Sequence, residues 1–326
     1  MLGLVLFRIP WGLISDRIGY LNVLRIALPL LTVFAILRAF SPGFLSLLLS
    51  QFFLGLGLAA VLPCFPLIVR EWTPRGVGLF TGIYVSGFAA GNATALALTP
   101  YLLEILGWRD ILLVYSGLAA IICLLWWSFA KSTVKGTPGL ASANFKKILK
   151  DRYVWVLLFF MIASMGSYDA LATWMPKVLE LKDLSKAFAS LLPLGFFFAG
   201  PIIGLIADRF ANRRAIIALL GIIAAVSIMG INYAPFPLLL LCIFLSGFTT
   251  IGVFTISLAV PAQHQRLSAN AASVVGVTSS LGNIGSLVMP GLFGFLIDTT
   301  GTFHASVLTV SALAGVTFII GARISE

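Results

Sequence analysis

Two charged residues lie inside long apolar runs of this chain, and their types are suited to chemistry. Arg8 stands between Phe7 and Ile9, and Asp169 lies within the run 167–176. A charge at membrane depth is costly, rare and usually functional. The arginine fork donates several hydrogen bonds to a planar anion, whereas a buried carboxylate without a cationic partner binds protons near neutral pH. The two residues therefore predict anion binding at Arg8 and proton coupling at Asp169.

Structural explanations stay open for both charges. Arg8 either pairs with another helix or extends towards the membrane surface, and Asp169 is either the salt-bridge partner of Arg8 or a polar residue near that surface. Pro176 frees backbone carbonyls near the end of the same run, and discontinuous helices often line substrate sites. We therefore expect Tyr168 and Trp174 to contact a substrate.

Two asparagines that each follow a glycine, Asn92 and Asn283, occupy related places in the two halves of the chain. Small residues permit close helix packing, and buried amides need hydrogen-bond partners. The pair is predicted either to line a substrate cavity or to join neighbouring helices.

A polar hinge occurs twice. Residues 12–17 read Gly-Leu-Ile-Ser-Asp-Arg and residues 204–209 read Gly-Leu-Ile-Ala-Asp-Arg, so their aspartates lie 208 − 16 = 192 positions apart. Arg25 follows the first copy, and Arg213 with Arg214 follows the second. We interpret each aspartate as a latch that pairs with an arginine and accepts N–H bonds from the helix that follows; the alternative is a turn cap. The predicted gating residues are Gly12, Asp16, Arg17, Gly19, Gly204, Asp208, Arg209 and Arg213.

The composition requires membrane-spanning helices to position these residues. Hydrophobic residues make up 60% of the 326 and charged residues 10%, whereas a soluble domain is about 45–50% apolar and about 25% charged. Ten apolar runs are long enough to cross a ~30 Å hydrocarbon core. They are residues 21–38, 44–69, 76–104, 110–130, 153–177, 187–207, 214–232, 236–259, 267–295 and 304–322. An eleventh run, residues 1–14, reaches only about 21 Å as a helix.

The net charge of +10 reflects topology and not a nucleic-acid partner. If the two hinges face the cytoplasm and the helices alternate, fifteen lysines and arginines fall on the cytoplasmic side and five on the other, as the positive-inside rule requires. The basic stretch 131–152 then forms a cytoplasmic linker between an N-terminal bundle, 1–130, and a C-terminal bundle, 153–326. We expect a multi-pass protein of the plasma (inner) membrane with its linker and C-terminus in the cytoplasm.

An internal repeat extends beyond the hinge. Residues 82–86 align with residues 276–280, and Gly107 aligns with Gly301, both at a separation of 194. The second half holds six apolar runs, but the first holds four and the short run 1–14. We therefore expect that about 35–40 residues, one helix and part of the next, are absent from the front.

The hinge at residues 12–19, Gly-Leu-Ile-Ser-Asp-Arg-Ile-Gly, resembles the signature loop of the major facilitator superfamily between its second and third helices. Its weaker copy belongs between the eighth and ninth helices, where residues 204–214 lie, and residues 106–109, Leu-Gly-Trp-Arg, are similar to the opening of the family's sixth helix. The resemblance implies two six-helix bundles around a central substrate site that rock to give alternating access.

Finer resemblances point to anions. An Arg before Ile-Pro-Trp-Gly, as at Arg8, resembles nitrate/nitrite-type porters, although their second Arg is replaced here by Gly200. The end of the run that contains Trp174 is weakly similar to cyanate-porter-like members. Gln51 stands where many members carry an Arg four residues before a Gly-x-Gly, and the fifth helix lacks the Gly-Pro pair of drug antiporters. The first departure argues against a proton role borrowed from the family's Arg, and the second favours uptake or symport over drug export.

The sequence thus predicts an all-α secondary transporter that moves a small organic or inorganic anion, coupled to protons. The alternatives are an exporter of amphipathic or drug-like molecules and a non-transporting remnant. Phosphate-loop, zinc-protease and nucleophile-elbow motifs do not occur, so we predict neither an enzyme nor a cofactor or metal site. The expected partners are a small anionic substrate and the lipid bilayer, without nucleic acid, and we expect a monomer.

Overall fold

The fold consists of helices throughout the described part of the chain, which comprises residues 2–131, 145–210, 212–264 and 266–323 of this computed structural model. In chain order the α-helices are α1 (Leu2–Ile18), α2 (Tyr20–Ala39), α3 (Phe44–Ala59), α4 (Val61–Trp72), α5 (Val77–Ile105), α6 (Trp108–Phe129), α7 (Phe145–Lys150), α8 (Arg152–Glu180), α9 (Leu191–Arg209), α10 (Arg213–Tyr233), α11 (Leu238–Gln263), α12 (Ala271–Thr300) and α13 (His304–Arg323). Short 3₁₀ turns at Lys186–Ser190 and Ser268–Asn270 precede α9 and α12.

Every predicted span coincides with helix to within a few residues at its ends. Eight helical segments of the described residues are long and apolar enough to cross a membrane. The other two predicted spans form α5, with 29 residues, and α13, with 20 residues. At ~1.5 Å of rise per residue, both reach the ~30 Å of a hydrocarbon core.

One predicted span, 44–69, divides into α3 and α4 at Ala60. Pro63 follows the division by three residues, and Pro66 lies inside α4. A proline lacks the N–H that would bond to the carbonyl four residues earlier, so it bends or interrupts a helix. By contrast, α8 continues past Pro176 to Glu180, so this proline removes one backbone bond without ending the helix.

The chain divides into two compact units that interleave along the sequence. The first unit comprises Met1–Pro74, Gly91–Asp151 and Pro261–Ser280, and the second comprises Arg75–Ala90, Arg152–Val260 and Leu281–Glu326. Helices α5 and α12 therefore each contribute their first turns to one unit and the remainder to the other.

The core of the first unit lies where α1 and α2 meet α3 and α4. Val23 and Ala27 of α2 are fully buried there with Cys64 of α4. The Trp11 indole N–H of α1 donates to the Leu56 carbonyl over 2.8 Å, so this aromatic side chain is both packed and hydrogen-bonded.

The core of the second unit is larger and includes α8, α10, α12 and α13. Leu171, Ile228, Phe293 and Val307 lie in one buried cluster. Polar links cross between the same helices: the Ser306 hydroxyl donates to the Phe293 carbonyl over 2.7 Å. Buried hydroxyls of this kind satisfy their own polarity by bonding to backbone carbonyls.

Many large apolar side chains remain exposed. Phe44 and Ile105 are each 80% exposed, and Leu287 is 70% exposed. Water would make such surfaces unstable, whereas lipid tails solvate them without cost. The exposed apolar residues are therefore those that a membrane protein turns towards lipid.

Gly57 of α3 tests how closely α3 packs against α2. A Cβ atom at Gly57 would lie 2.5 Å from the Leu31 backbone nitrogen, whereas one at Gly117 of α6 would meet no atom within 4 Å. We expect Gly57→Ala to cost about 1–3 kcal/mol through overpacking and to lower the melting temperature in detergent. Gly117→Ala is the matched control and should be neutral or mildly stabilising; equal melting temperatures for both variants would contradict the packing.

Candidate functional site

Asp16, the aspartate of the first hinge, caps the N-terminus of α12. Its carboxylate accepts N–H bonds from Ala272 over 3.2 Å and from Ser273 over 2.7 Å. The first N–H groups of a helix have no partner within the helix, and its dipole favours a negative charge there. A Cβ atom at Gly12 would lie 2.6 Å from the Ala272 carbonyl oxygen, so glycine at this position lets the two backbones approach.

The same contact continues one turn further along α1 and α12. A Cβ atom at Gly276 would lie 2.7 Å from the Arg8 carbonyl oxygen, and the Ser280 hydroxyl donates to the Val5 carbonyl. A carboxylate cap, two close backbone approaches and a serine bond therefore join α1 to α12 along about three turns of α1 and two turns of α12.

Asp208, the aspartate of the second hinge, caps the N-terminus of α5 in the same way. It accepts N–H bonds from Gly78 over 2.7 Å and from Leu79 over 2.8 Å. A Cβ atom at Gly204 would lie 2.2 Å from the Gly78 carbonyl oxygen. Here too the carboxylate and the glycine hold two helices backbone to backbone.

The α5–α9 contact then follows the pattern of the α1–α12 contact. A Cβ atom at Gly82 would lie 1.9 Å from the Gly200 carbonyl oxygen, and the Ser86 hydroxyl donates to the Phe197 carbonyl over 2.6 Å. Each α9 residue of this contact stands 192 positions after its α1 counterpart, and each α12 residue stands 194 positions after its α5 counterpart. The repeat in the sequence is therefore a repeat of one helix–helix contact.

The partner helices differ from the prediction. The sequence predicts that each aspartate bonds to the helix that follows it, α2 for Asp16 and α10 for Asp208. The hydrogen bonds described above run to α12 and α5, because a glycine in each hinge allows a helix distant in sequence to approach. Asp208 has further interactions besides these. Pattern alone could not identify that helix.

Three further residues of these contacts were not among the predicted gating residues. Ser86 and Ser280 lie in the repeated segments 82–86 and 276–280, so the repeat marked them without indicating their role. The Arg70 guanidinium donates to the Ser268 carbonyl over 2.6 Å, in the 3₁₀ turn just before α12. Arg70 therefore holds the same helix start that Asp16 caps.

The remaining hinge residues lie around the turns. Gly19 has a φ of +83°, a left-handed conformation that a side chain would strain, and it separates α1 from α2. Arg17 and Arg209 are exposed at the ends of their helices, and Arg213 is half-buried at the start of α10. Asn212 caps α10 by accepting the Ala215 N–H over 3.1 Å.

Arg8 occupies in α1 the place that Gly200 occupies in α9. It is half-buried, and its Nη1 donates to the Ser279 carbonyl of α12 over 3.1 Å. Its Nε is buried without a hydrogen-bond partner among the described residues, and it forms no ion pair with a described carboxylate of its own unit. The Arg8 guanidinium thus bonds to another helix, which is one of the structural explanations left open by the sequence. Its Nε remains a donor without a described acceptor.

Asp169 is half-buried on α8 in the second unit. The Ser286 side chain of α12 faces its carboxyl group, although the Ser286 hydroxyl lacks a hydrogen bond of regular geometry. No described cation of the second unit lies within ion-pair distance of Asp169. The neighbouring Tyr168 packs edge-on against Phe196, with 5.2 Å between the ring centroids.

Trp174 and the two asparagines have different surroundings. The Trp174 indole donates to the Pro290 carbonyl over 2.9 Å and stacks on Phe293 at 6.0 Å, so only part of its ring is available to a ligand. Asn283 is 4% exposed and its amide nitrogen has no described partner. Asn92 is exposed on α5. The described residues hold no group of three or more potential metal ligands.

A protein-family model matches this chain twice, which agrees with the internal repeat. The model of the Major Facilitator Superfamily matches residues 1–199 and, in a second match, residues 187–324. Two overlapping matches that start in different halves are expected of a duplicated chain.

Relatives with assigned names are transporters. The chain is 24% identical over 317 residues to the gentisate transporter of Corynebacterium glutamicum, covering 90% of this chain and 70% of the relative. It is 24% identical to the nitrite extrusion protein of Bacillus subtilis, with coverage of 97% and 80%. It is 26% identical to a probable nitrate transporter of Staphylococcus haemolyticus, with coverage of 98% and 83%.

Solved structures have the same fold at low sequence identity. The Escherichia coli fucose:proton symporter superimposes with a TM-score of 0.80 at 14% identity, over 98% of this chain and 87% of that one. The human organic anion transporter MFSD10 superimposes with a TM-score of 0.77 at 18% identity, over 98% and 81%. The family match, the helical fold and these neighbours agree, so the chain belongs to the Major Facilitator Superfamily and is a multi-pass membrane transporter, not an enzyme.

Proposed function

We propose that this transporter moves a small organic or inorganic anion by secondary active, alternating-access transport. The observation that carries the proposal is Arg8, a half-buried arginine whose Nε has no described partner. A desolvated guanidinium without a counter-ion is costly inside a membrane protein, and a bound anion offsets that cost. The gentisate, nitrite and nitrate transporters among the relatives add support for an anionic substrate.

Other residues assigned to the substrate site complement Arg8. Asn283 carries a buried amide nitrogen without a described partner, so it offers a neutral donor to an oxyanion. Asn92 is exposed on α5, and Tyr168 presents part of an aromatic ring. We assign these three residues, with Trp174 at the edge, to substrate contact.

We assign proton coupling to Asp169. The Ser286 side chain faces its carboxyl group, and no described cation of its unit forms an ion pair with it. Its carboxyl group can bind and release a proton, and an ionisable residue at membrane depth is usually functional. Proton binding there would neutralise the Asp169 carboxylate. The transporter could then change conformation without an unpaired negative charge at membrane depth.

We assign gating to the two repeated helix contacts. Asp16 and Asp208 each take two N–H bonds at a helix start, and such charge-assisted bonds break as a unit when the helices separate. The positive-inside pattern supports a cytoplasmic position for both contacts, for the linker and for the C-terminus. A closed contact at this end leaves the substrate site open to the other side.

We propose that residues 1–130 and residues 153–326 form two bundles that move during transport. The linker 131–152 joins them, and the transporter acts as a monomer. The compact units interleave because the first turns of α5 and α12 pack so closely on α9 and α1. In the proposed mechanism these contacts open and close during gating. Helices that touch in this state can therefore belong to different bundles that move apart in another state.

Arg8→Gln should abolish uptake, because glutamine keeps the length and a donor but removes the charge. Arg8→Lys should retain the charge and lose the planar fork, with uptake reduced at least tenfold. Uptake is measured in proteoliposomes with a panel of nitrate, nitrite, gentisate and galactonate. Lys150→Gln, at an exposed position, is the control, and full transport by Arg8→Gln would remove Arg8 from the substrate site.

Asp169→Asn should separate transport from the proton gradient. We expect uptake driven by an inward proton gradient to fall to the rate of uptake without one, while exchange of internal for external substrate continues. The exposed Asp298→Asn serves as a matched control. If gradient-driven uptake survives in Asp169→Asn, the proton binds elsewhere.

Asp16→Asn and Asp208→Asn should weaken the closed contacts by about 1–2 kcal/mol each. The expected readout is a rise of about 5- to 30-fold in the labelling rate of a cysteine placed at Leu79 or Ser273, using a membrane-impermeant reagent in a chain whose native cysteines are replaced by alanine. Asp183→Asn, in an exposed loop, is the control. An unchanged labelling rate would show that the carboxylates do not hold the contacts closed.

A further inference from the structure

An apolar groove lies at the end of α4 and α6 that is nearest to the linker. Its volume is about 380 Å³. It lies within the first unit. The lining residues, from the last turns of the two helices, are Trp72, Ile122, Leu125, Trp126, Phe129 and Ala130.

The walls of the groove suit a hydrocarbon chain. Trp72, Ile122 and Leu125 are more than half exposed, and Phe129 is 73% exposed. The side chains of this wall carry no polar atoms apart from the two indole nitrogens. Because the groove is open along membrane-spanning helices, acyl chains are the apolar molecules that reach it at the highest concentration.

Two buried hydrogen-bond donors lie on the turns of α2 and α6 that meet near the linker end of α6. The Trp126 indole nitrogen is buried and has no described partner. The Arg25 Nε of α2 is likewise buried and unpartnered, and the Trp127 indole donates to the Arg25 carbonyl over 3.2 Å, which fixes this turn of α2 against α6. Lys131 is exposed two residues beyond the end of α6.

No described carboxylate neutralises these cations. Arg25 and Lys131 take part in no ion pair within the described residues of the unit. Glu71, on the last turn of α4, has interactions of its own. The groove therefore combines an apolar wall with two unpaired cations and an indole N–H at one end, which is a pattern complementary to a molecule with a hydrocarbon tail and an anionic head.

We propose that this groove binds one anionic phospholipid from the leaflet at the linker end of the helices. One acyl chain lies along α4 and α6, and the phosphate accepts hydrogen bonds from Arg25, Lys131 and the Trp126 indole. Tryptophan at a membrane interface and basic residues beside it are the side chains that such lipids contact. The lipid joins α4 to α6, and it reaches α2 through Arg25.

The first test measures lipid preference on the purified chain in detergent. Phosphatidylglycerol should bind more tightly than phosphatidylcholine of the same acyl chains, as measured by native mass spectrometry and by the shift in melting temperature. Arg25→Gln should reduce that preference about fivefold, because one surface cation contributes about 1 kcal/mol to binding an anionic lipid. Trp126→Phe keeps an aromatic ring, removes the N–H group and should reduce binding by a smaller factor.

Matched controls make the outcome decisive. Arg152→Gln removes an exposed cation at the start of α8 in the other unit, and its lipid preference should equal that of the unchanged chain. Glycerol 1-phosphate, which has the same phosphate without acyl chains, should give no shift in melting temperature. Equal binding of both phospholipids, an equal loss in Arg152→Gln, or an equal shift with glycerol 1-phosphate would overturn the proposal.

A second test locates the lipid even if a variant folds poorly. Phosphatidylglycerol with a photoactivatable acyl chain should crosslink, in the unchanged chain, to the peptide that contains residues 122–130 of α6. Excess unlabelled phosphatidylglycerol should compete for that crosslink, and phosphatidylcholine should compete at least fivefold less well. Crosslinks spread evenly over the exposed helices, or confined to another part of the chain, would refute a site in this groove.

Discussion

The close approach of two helix backbones, sealed by a carboxylate, is the constraint on which the rest of the structure depends. Gly12 and Gly204 remove the side chain that would separate the helices, and Asp16 and Asp208 then reach the first N–H groups of α12 and α5, which have no partner within their own helices. Without the glycines the carboxylates could not reach these N–H groups. Without the carboxylates, each contact would keep its packing and its serine hydrogen bond but would lose the two bonds at the helix start. Each contact is therefore strong when closed and has little to hold it once opened.

The two contacts are copies that differ at one informative position. Where α9 has Gly200 against Gly82, α1 has Arg8 against Gly276. Arg8 can occupy a tight backbone contact because its carbonyl, not its side chain, meets the glycine, which leaves the guanidinium to bond to Ser279 one turn away. One contact thus carries a charged group that an anion can engage, whereas the other has only small residues.

The helices were predictable from the sequence because long apolar runs admit few other structures in a membrane, and all ten predicted spans coincide with helix. The hinge residues were predictable because an aspartate and an arginine stand out against an apolar background. The partners of Asp16 were not predictable, since Ala272 and Ser273 are ordinary small residues whose only signal is position. Contacts between backbones leave weak traces in sequence, because what they require is the absence of a side chain.

Asn283 and Trp174 are both candidate substrate contacts, but they differ in the hydrogen bonds that they can offer a ligand. The Trp174 indole N–H already donates to the Pro290 carbonyl, so Trp174 can contact a substrate only through its ring. Asn283 has a buried amide nitrogen that nothing in the described chain satisfies, and an unsatisfied buried donor costs about 1–3 kcal/mol. A ligand that accepts this bond recovers that cost. Among the neutral residues proposed to contact the anion, Asn283 is therefore the one whose unsatisfied donor would gain most from a bound oxyanion.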